Sequence, residues 1–588
     1  MDNLIQPLPN DAQQFSAWSW AKIEPYYARL NDYALTAQNV DAWLADWSQL
    51  ASLMDERYQR LQVARTQNTA DEETENAFNH FIEEIYPKYQ AAEQTLKLKL
   101  LASELHPNGF EIPLRNIRAE ADIFREENLP LQTIEQKLEQ EYDKIIGSET
   151  VVWNGEEKTP AQILPIFQDP DRATRERAWH LVMRKRLENR AALNDVWTRM
   201  LQNRLQMAKN AGFMLSNSDS AAGTGDYRAY RWQQYQRFDY TPADANQFNA
   251  AIKEVVVPAA ARIYEKYRQR LGVETLRPWD LQGPQGFFIA TDPVGTAPLH
   301  PYQTNAEMID KCAAIFREVD AELGEYFETM RSEDLLDLPN RKNKAPGGYC
   351  TVFEMSKRPF IFMNAVGTPE DVQTLLHEAG HAFHAFEAYK LPYTQQRLMG
   401  LEFAEVASMG MEFLSAPYLN RAGGFYTDAD AARARIEKLE TSIFFWPYMA
   451  VVDAFQHWVY ENPRAAMDPG NCDVEWGALW DEYMPGVDWS GLEEERVTGW
   501  HRKLHIFTSP FYYIEYGMAQ LGAAQVWANS LQNQKQAIAD YKRALALGGT
   551  ASLPTLFETA GAKFKFDAGT LRESVALMER TIEELEQE

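Results

Sequence analysis

Residues 368–390 read TPEDVQTLLHEAGHAFHAFEAYK, and this stretch determines how the rest of the chain is interpreted. Thr368 is a residue type that caps helices, and Pro369 suits the first helical position. Glu370 and Asp371 place negative charge in the first turn, where it complements the helix dipole. The stretch therefore predicts a helix that begins at Pro369.

A motif typical of metal sites, His-Glu-Ala-Gly-His at 377–381, lies inside this helix. At about 100° per residue, four residues make roughly one turn, so His377 and His381 share one face. Two imidazoles on adjacent turns can hold one divalent ion at roughly 2.0–2.1 Å. Glu378 points away from that line and can act on a water molecule that the ion activates. Gly380 costs a helix about 1 kcal/mol relative to Ala, which indicates close packing or space for another group.

A hydrolytic zinc site normally takes three protein ligands and leaves one position for water. The candidates for the third ligand are polar residues on or after the helix, namely Glu402, Glu405, Glu412 and His384. His384 lies on the same stripe as His377 and His381, but a helix moves away from a single ion after two turns. We therefore expect His384 to support the site or the transition state. Spacing alone does not choose among the glutamates.

The charge of the chain limits its partners. The 588 residues carry a net charge of −27 with a pI of about 4.9, and 45% of them are hydrophobic. Nucleic acids and anionic membrane surfaces attract basic faces, so this charge argues against both. No apolar run approaches the ~20 residues that span a bilayer. A chain of this length forms several domains or one large two-lobed body.

The cysteines and the first residues indicate a compartment. Cys312, Cys350 and Cys472 are far apart and form no CxxC pair, which argues against a disulfide framework and against a cysteine metal site. The opening stretch MDNLIQPLPNDAQQF has neither a basic region nor an apolar region of the secretory type. We therefore expect a cytoplasmic protein with reduced thiols.

Helical periodicity dominates the chain, and a few β-like runs interrupt it. Residues 150–158 predict a hairpin with Asn154 and Gly155 as its turn. One continuous helix is predicted over about 305–330. A loop is predicted over 223–230.

Two β-like runs, 349–353 and 359–363, immediately precede the HEAGH helix and predict a small β-ribbon beside it. An exposed strand next to a metal site can pair with an extended peptide through main-chain hydrogen bonds. Such pairing would involve Gly348 and Tyr349. A purely structural ribbon fits the spacing equally well.

A later segment, HIFTSPFYYIEYGMAQLGA, begins at His505 and places Tyr512, Tyr513 and Tyr516 among apolar residues. Pro510 is predicted to begin a new helix, which would bring the tyrosines within about one turn. Buried tyrosines need hydrogen-bond partners, and a phenol can also stabilise a developing oxyanion. The residues alone favour an aromatic core.

Three stretches, LLHEAGHAFH, FAEVASMGME and HIFTSPFYYIEYGMAQLGA, resemble the thimet oligopeptidase and oligoendopeptidase F family of zinc metallopeptidases. The resemblance extends from about residue 346 to residue 527, and the chain length and helix-rich N-terminal half fit it. It implies that one Zn²⁺ ion is held by His377, His381 and Glu405, with Ser408 beside the third ligand.

The same resemblance implies that a histidine and a tyrosine pair face the scissile carbonyl group. Tyr516 is the first candidate, followed by Tyr513 and His505. The shorter His-to-Tyr spacing in this chain leaves the choice between Tyr512 and Tyr513 open. The residues expected to contact the substrate are Gly348, Tyr349, His384 and Tyr512.

The expected fold is mostly α. The resemblance implies a large two-lobed helical body with a deep central channel, and the β-ribbon lies next to the HEAGH helix. We place an N-terminal helical lobe at 1–210 and a catalytic helical lobe at 211–588. The expected function is a zinc-dependent endopeptidase, an oligopeptidase that hydrolyses internal bonds of short unstructured peptides with Glu378 as general base.

Two alternatives remain open at this point. One is a related zinc carboxypeptidase or dipeptidyl carboxypeptidase, which would need a cationic group for the substrate C-terminus, and the sequence does not identify that group. The other is a non-enzymatic peptide-binding protein that a metal stabilises. The presence of Glu378 in the motif argues against this second alternative.

Overall fold

A computed structural model describes residues 7–163, 166–167, 169–215, 223–281, 299–341, 343–345, 347–421 and 423–587. The fold is mostly α-helical, as predicted. The chain divides into two compact units of three segments each. Unit 1 contains Met1–Ala121, Leu299–Ala431 and Gly522–Phe564, and unit 2 contains Asp122–Pro298, Ala432–Leu521 and Lys565–Glu588. The single boundary that the sequence analysis placed after residue 210 stays a prediction.

Helices account for most of the described residues. In chain order they are α1 Ala12–Ser16, α2 Trp20–Asp32, α3 Val40–Gln67, α4 Glu72–His80, α5 Tyr86–Ala102, α6 Glu111–Ile123, α7 Asn128–Gly147, α8 Pro160–Ile163, α9 Arg172–Glu188, α10 Arg190–Asn210, α11 Tyr227–Gln234, α12 Pro242–Leu271, α13 Asn305–Val319, α14 Ala321–Ser332, α15 Pro369–Ala388, α16 Thr394–Arg397, α17 Leu401–Ser415, α18 Asp428–Glu461, α19 Pro463–Ala466, α20 Pro469–Tyr483, α21 Glu493–Val497, α22 Leu504–Thr508, α23 Tyr513–Leu545, α24 Leu553–Thr559 and α25 Ala568–Leu585. Within this described part of the chain, no helix combines the length and the apolar character that a membrane span needs.

The predicted hairpin is present in unit 2. Strand β1, Val151–Trp153, pairs antiparallel with strand β2, Glu156–Lys158. Asn154 and Gly155 form the turn with φ angles of 53° and 87°. Asn and Gly enter this left-handed region at low cost, which is why the dipeptide predicts a two-residue hairpin turn.

A three-stranded sheet in unit 1 precedes the HEAGH helix. Its central strand β5, Arg358–Ala365, pairs in parallel with β3, Leu336–Pro339, and antiparallel with β4, Tyr349–Phe353. The two runs that predicted a ribbon are β4 and β5, and β3 extends them to a sheet. Helix α15 packs against both β4 and β5, so the sheet supports the motif-bearing helix.

The N-terminus of α15 is fixed by one carboxylate. Asp371 Oδ2 accepts hydrogen bonds from the backbone N–H groups of Val366 at 2.9 Å, Gly367 at 2.7 Å and Thr368 at 2.7 Å. It also accepts from the Tyr302 hydroxyl at 2.6 Å. The bond from Thr368 satisfies a donor that the helix start leaves open, and the bonds from Val366 and Gly367 tie the incoming loop to the helix. The predicted start of α15 at Pro369 is confirmed.

Two local predictions were wrong, and an aspartate explains each. The continuous helix predicted over 305–330 is interrupted at Asp320, whose extended backbone ends α13 and whose carboxylate accepts from two backbone N–H groups of α14. The loop predicted over 223–230 ends early, because Asp226 caps a helix that begins at Tyr227. Aspartate competes for backbone donors and so favours helix starts over helix interiors.

Candidate metal centre

Helices α15 and α17 approach each other closely at Gly380. A Cβ atom at this position would lie 2.6 Å from the Ala407 carbonyl oxygen and 2.6 Å from Ser408 Cα, so a larger residue does not fit. The Tyr541 hydroxyl donates a hydrogen bond to the same Ala407 carbonyl at 2.6 Å. Of the two alternatives predicted for Gly380, close packing is confirmed and space for another group is not. This packing brings Glu405 of α17 to the motif.

The three residues implied as metal ligands meet in one cluster of unit 1. His377 Nε2 lies 3.4 Å from Glu405 Oε2, and His381 Nε2 lies 3.7 Å from the same oxygen. Their ligand atoms all lie within 4.8 Å of one another. Tetrahedral ligands at about 2.0–2.1 Å from an ion are separated by about 3.3 Å, so this donor set fits a small divalent cation. Glu402 and His384 do not belong to this group among the described residues.

Two further side chains of α17 support the cluster. Glu412 Oε1 lies 2.8 Å from Nδ1 of His377, the ring nitrogen not directed at Glu405. The Ser408 hydroxyl donates a hydrogen bond to Glu405 Oε2 at 3.0 Å. A carboxylate on the outer nitrogen of a metal-binding histidine fixes the ring orientation and raises its basicity. Each of these contacts therefore holds the side chain of a candidate ligand in place.

Burial and neighbouring charges shift the pKa values of the three candidate ligands in opposite directions. Burial lowers the pKa of His381 to about 4, although Glu405 opposes this shift. Burial also disfavours charged His377, but its hydrogen bonds to Glu405 and Glu412 outweigh burial and raise its pKa well above the usual value. Burial opposes the charge of Glu405 as well, but His381 and His377 lower its pKa to about 2. The two carboxylates thus favour positive charge at this cluster, and a bound metal cation would supply it.

Glu378 lies beside this cluster with 8% of its surface exposed. Burial raises its pKa to about 7, the neighbouring His377 opposes that rise, and Glu405 adds to it. The backbone N–H of Cys350 on β4 donates a hydrogen bond to the Glu378 carboxylate. A carboxylate with a pKa near neutrality can both accept and release a proton, which is the property that a general base needs.

His505, Tyr512, Tyr513 and Tyr516 form an aromatic cluster in unit 2. The His505 ring centroid lies 5.0 Å from that of Tyr513, 5.8 Å from that of Tyr516 and 6.0 Å from that of Tyr512. The Tyr512 and Tyr513 rings lie 5.2 Å and 5.6 Å from the Tyr516 ring. The four residues that the third motif singled out are therefore neighbours within this unit.

The helix start predicted at Pro510 was wrong. Helix α23 begins three residues later, at Tyr513. Phe511 has a φ of 66°, and a residue in this left-handed region cannot continue a right-handed helix. Tyr513 and Tyr516 share the first turn of α23, whereas Tyr512 precedes it.

Two family models match the chain. The Peptidase M3 N-terminal domain matches residues 14–108, and Peptidase family M3 matches residues 166–575, which is well over half of the chain. The chain belongs to peptidase family M3. This is a metallopeptidase family, so membership agrees with the family predicted from the three motifs and with the ligand cluster on α15 and α17.

Some similar solved structures match nearly the full length of this chain. The structure of PZ peptidase A with inhibitor 2 is 29% identical, with a TM-score of 0.86 and coverage of 96% of this chain and 98% of that chain. A protein from Bacillus anthracis str. Ames, assigned as an oligoendopeptidase F, is 25% identical with a TM-score of 0.80 and 96% of each chain covered. The Oligoendopeptidase F homolog of Borreliella burgdorferi is 22% identical over 251 residues, so the match spans only 41% of that relative's length and 41% of this chain.

Gly348 and Tyr349 were predicted to contact substrate. Tyr349 begins β4, an edge strand of the described sheet, and Gly348 directly precedes it. The Tyr349 ring stacks on Phe362 with centroids 4.8 Å apart, and its hydroxyl shares a 2.6 Å hydrogen bond with the Thr66 hydroxyl. The tyrosine side chain is thus anchored within the protein. Pairing of the β4 backbone with a peptide stays a prediction for this member of family M3.

His384 lies on α15 with 1% of its surface exposed. Neither ring nitrogen has a hydrogen-bond partner among the described residues, and the ring packs 6.0 Å from Phe403. Burial, with a contribution from His381, lowers the pKa of His384 to about 3, so its ring is neutral. Its predicted role toward substrate, like that of Tyr512, stays a prediction.

The sequence analysis treated Glu412 only as a candidate ligand and missed its contact with the outer nitrogen of His377. A signal for this contact was available. Ser408 and Glu412 follow Glu405 by three and seven positions, so all three lie on one face of α17. A helix face that presents one carboxylate to a metal can present a second carboxylate, two turns later, to one of the ligands.

Proposed function

We propose that the protein is a zinc-dependent endopeptidase that cuts internal bonds of short, unstructured peptides. The observation that carries this proposal is the cluster of His377, His381 and Glu405, with the buried Glu378 beside it, in a chain of family M3. Two imidazoles and one carboxylate are a donor set typical of catalytic zinc. Structural zinc sites usually present four protein ligands, whereas three converge here among the described residues.

Glu412 is proposed to set the tautomer of His377. If Nδ1–H is donated to Glu412, Nε2 keeps its lone pair for the cation. Nε2 is also the nitrogen that lies 3.4 Å from Glu405 Oε2. The hydrogen bond from Ser408 would hold Glu405 in the same way, so both contacts favour one arrangement of the ligands.

In the proposed mechanism of peptide hydrolysis, the carboxylate of Glu378 transfers the proton. A zinc ion held by His377, His381 and Glu405 would supply Lewis acidity, which polarises a carbonyl and lowers the pKa of water. A carboxylate oxygen of Glu378 accepts a proton from the water whose oxygen attacks the carbonyl carbon. Protonated Glu378 then donates that proton to the nitrogen of the leaving amine as the C–N bond breaks. The carboxylate is restored, and one water molecule has been added across the peptide bond.

Tyr516, with Tyr513 and His505, is proposed on the sequence resemblance to donate hydrogen bonds to the developing oxyanion. Short peptides as substrates are supported by the names of similar proteins, which include oligoendopeptidase F. Endopeptidase action and a cytoplasmic location rest on the sequence analysis.

The substitution Glu378→Gln tests the central claim. Glutamine keeps the shape of the side chain but cannot accept the proton, so kcat on an internally quenched peptide should fall by about 10²–10⁴-fold. Metal content, measured by mass spectrometry of the dialysed protein, should match the wild type. Chelation should abolish wild-type turnover, and added zinc should restore it. Wild-type turnover by the variant would remove the general-base assignment.

Peptides blocked at both ends separate the endopeptidase from the carboxypeptidase alternatives. An endopeptidase cuts such peptides internally, and mass spectrometry of the fragments identifies the bond. A carboxypeptidase or dipeptidyl carboxypeptidase needs a free C-terminus and would leave the blocked peptide intact while cutting its unblocked counterpart. The same assay contradicts a purely binding function if either peptide is cut in a zinc-dependent manner.

A further inference from the structure

The segment from His505 to Tyr516 in unit 2 is only partly helical. Helix α22 ends at Thr508 and α23 begins at Tyr513, so residues 509–512 form an irregular turn between them. The rings of its three tyrosines nevertheless cluster around His505. An irregular turn has no repeating hydrogen-bond pattern to fix its geometry, so its conformation depends on residues from elsewhere in the unit.

One buried arginine, Arg237, holds the end of this turn. Only 4% of its surface is exposed, and its Nη2 donates a hydrogen bond to the Phe511 carbonyl at 2.7 Å. The same Nη2 forms an ion pair with Glu515, and both side chains are fully buried. Glu515 lies in the first turn of α23. A single guanidinium therefore ties the turn to the helix that carries Tyr513 and Tyr516.

The residue that Arg237 holds is strained. Phe511 has a φ of 66°, which a phenylalanine adopts only when its surroundings require it. Its N–H donates a hydrogen bond to Gln456 Oε1 at 2.7 Å, and its ring is fully buried. Both backbone polar groups of Phe511 are thus fixed by side chains distant in sequence. These contacts determine the direction in which the chain enters α23.

A second buried arginine, Arg204, holds the other side of the segment. Its side chain is fully buried, and its Nη1 donates a hydrogen bond to the Ile506 carbonyl at 3.0 Å. It also contacts the Phe507 carbonyl, and its charge is paired with Glu135 at 2.6 Å. These carbonyls directly follow His505. The arginine of one arginine–glutamate pair therefore holds the backbone just before the irregular turn, and the arginine of the other holds it within the turn.

We propose that Arg204 and Arg237 are positioning residues that hold His505, Tyr513 and Tyr516 in a catalytically competent arrangement, an inference that rests on the function proposed for those three side chains. Hydrogen-bond donors to a transition state must be held within about 0.5 Å of the productive geometry. Charge-assisted hydrogen bonds to backbone carbonyls provide that rigidity where no regular secondary structure does.

Stability alone does not account for this arrangement. Buried ion pairs are often replaceable by apolar residues of similar volume without loss of stability, because desolvation offsets their attraction. Two such pairs on one short segment therefore add little as general stabilisers. Their contribution is to fix four positions of the backbone, namely the carbonyls of Ile506, Phe507 and Phe511 and the first turn of α23.

The test replaces Arg237 and measures kcat, KM and local structure in the full-length, zinc-loaded protein. Arg237→Met should lower kcat on an internally quenched peptide by about 10²-fold, the effect of a displacement of about 1 Å, with KM changed less than about twofold. Arg237→Lys retains a donor and a charge, so its kcat should be about tenfold higher than that of Arg237→Met. Hydrogen exchange of the amides of 509–516 should become faster in Arg237→Met.

Two further variants keep the test independent of folding defects. Arg237→Met/Glu515→Leu removes both buried charges, so it should fold while leaving the Phe511 carbonyl without its donor, and it should show the same loss of kcat. Arg175→Met is the matched control. Arg175 is 4% exposed, donates to the Trp279 carbonyl at 3.1 Å and pairs with Asp280 at 3.3 Å elsewhere in unit 2. The folded fraction of Arg175→Met should keep the wild-type kcat.

Tyr513→Phe and Tyr516→Phe, measured in parallel, separate the two ways in which the inference can fail. If both tyrosine variants keep the wild-type kcat, the proposed oxyanion role falls and the positioning role falls with it. If they lose kcat but the folded Arg237 variants do not, only the positioning role is overturned. Equal losses of kcat in Arg175→Met and Arg237→Met would also overturn it, because the effect would then be general destabilisation.

Discussion

The ligand cluster on α15 and α17 and the segment 505–516 bring polar groups together by different physical means. In the cluster, two histidines on one regular helix meet a glutamate on a second helix, and Gly380 sets how closely the helices approach. In the segment, the left-handed Phe511 lies between two helices. Arg237 binds its carbonyl and Arg204 binds the carbonyl of Ile506, both from distant parts of the chain. Regular helices turn sequence spacing directly into geometry, whereas an irregular turn takes its geometry from remote residues.

The largest effect is expected from a substitution in the cluster on α15 and α17. Glu405→Ala removes the proposed third ligand, so zinc content should fall well below one ion per chain, with turnover reduced by about 10³-fold or more. Glu402→Ala is the matched control, because Glu402 is also buried on α17 but lies outside the ligand cluster. It should keep its zinc. Metal analysis of both dialysed proteins checks this, and the reverse pattern would reassign the ligand.

The next largest effect is expected from a substitution in the segment 505–516. Tyr516→Phe should lower kcat by about 10²–10³-fold, the usual cost of losing one oxyanion donor, while zinc content stays unchanged. Tyr264→Phe provides the control, because Tyr264 is buried in the same unit and its ring stacks on Phe444 at 4.7 Å. Steady-state kinetics on one peptide compare the two variants. An unchanged kcat in Tyr516→Phe would assign the tyrosine to packing.

A smaller effect is expected from a substitution of Glu412, which contacts the candidate ligand His377. Glu412→Gln weakens the hydrogen bond to His377 Nδ1, so zinc affinity should fall by about 10–100-fold. Competition with a chromophoric chelator measures that affinity. Glu387→Gln serves as the control, because Glu387 is buried on α15 and accepts from Tyr326 at 3.0 Å, away from the cluster. Equal affinity loss in both variants would make the effect one of helix stability.

The features that could be predicted from sequence belong mostly to the cluster on the two regular helices, α15 and α17. The start of α15 at Pro369 and the close packing at Gly380 could be predicted because capping and helix contacts are local or periodic. The proximity of Glu405 to the histidines needed the family resemblance, since spacing alone left three glutamates open. The contact of Glu412 with His377 could have been inferred from the same face of α17.

The parts that could not be predicted depend on contacts between residues distant in sequence. Asp320, which interrupts a stretch of helical pattern, has its carboxylate bound at 2.8 Å by Lys542, 222 positions later. Phe511 is left-handed because Gln456 and Arg237 bind its N–H and carbonyl groups. Neither partner is identifiable from the local sequence. A helix start was therefore predicted at Pro510, which instead lies inside the irregular turn.

The smallest effect isolates the strain in that turn. Phe511→Ala and Phe511→Gly both remove the buried ring, but only glycine enters the left-handed region without a steric penalty of about 1–2 kcal/mol. Glycine also loses about 0.5–1 kcal/mol more conformational entropy on folding than alanine. The glycine variant should therefore be more stable than the alanine variant by up to about 1.5 kcal/mol. Denaturant unfolding of the two proteins measures the difference.

Phe507 supplies the opposite case within the same segment. It is fully buried as well, but it lies in α22, where glycine is less favourable than alanine by about 1 kcal/mol. The sign of the glycine–alanine difference should therefore reverse between positions 511 and 507. The same sign at both positions would mean that Phe511 is not strained in the folded protein, and that Gln456 and Arg237 do not impose its backbone conformation.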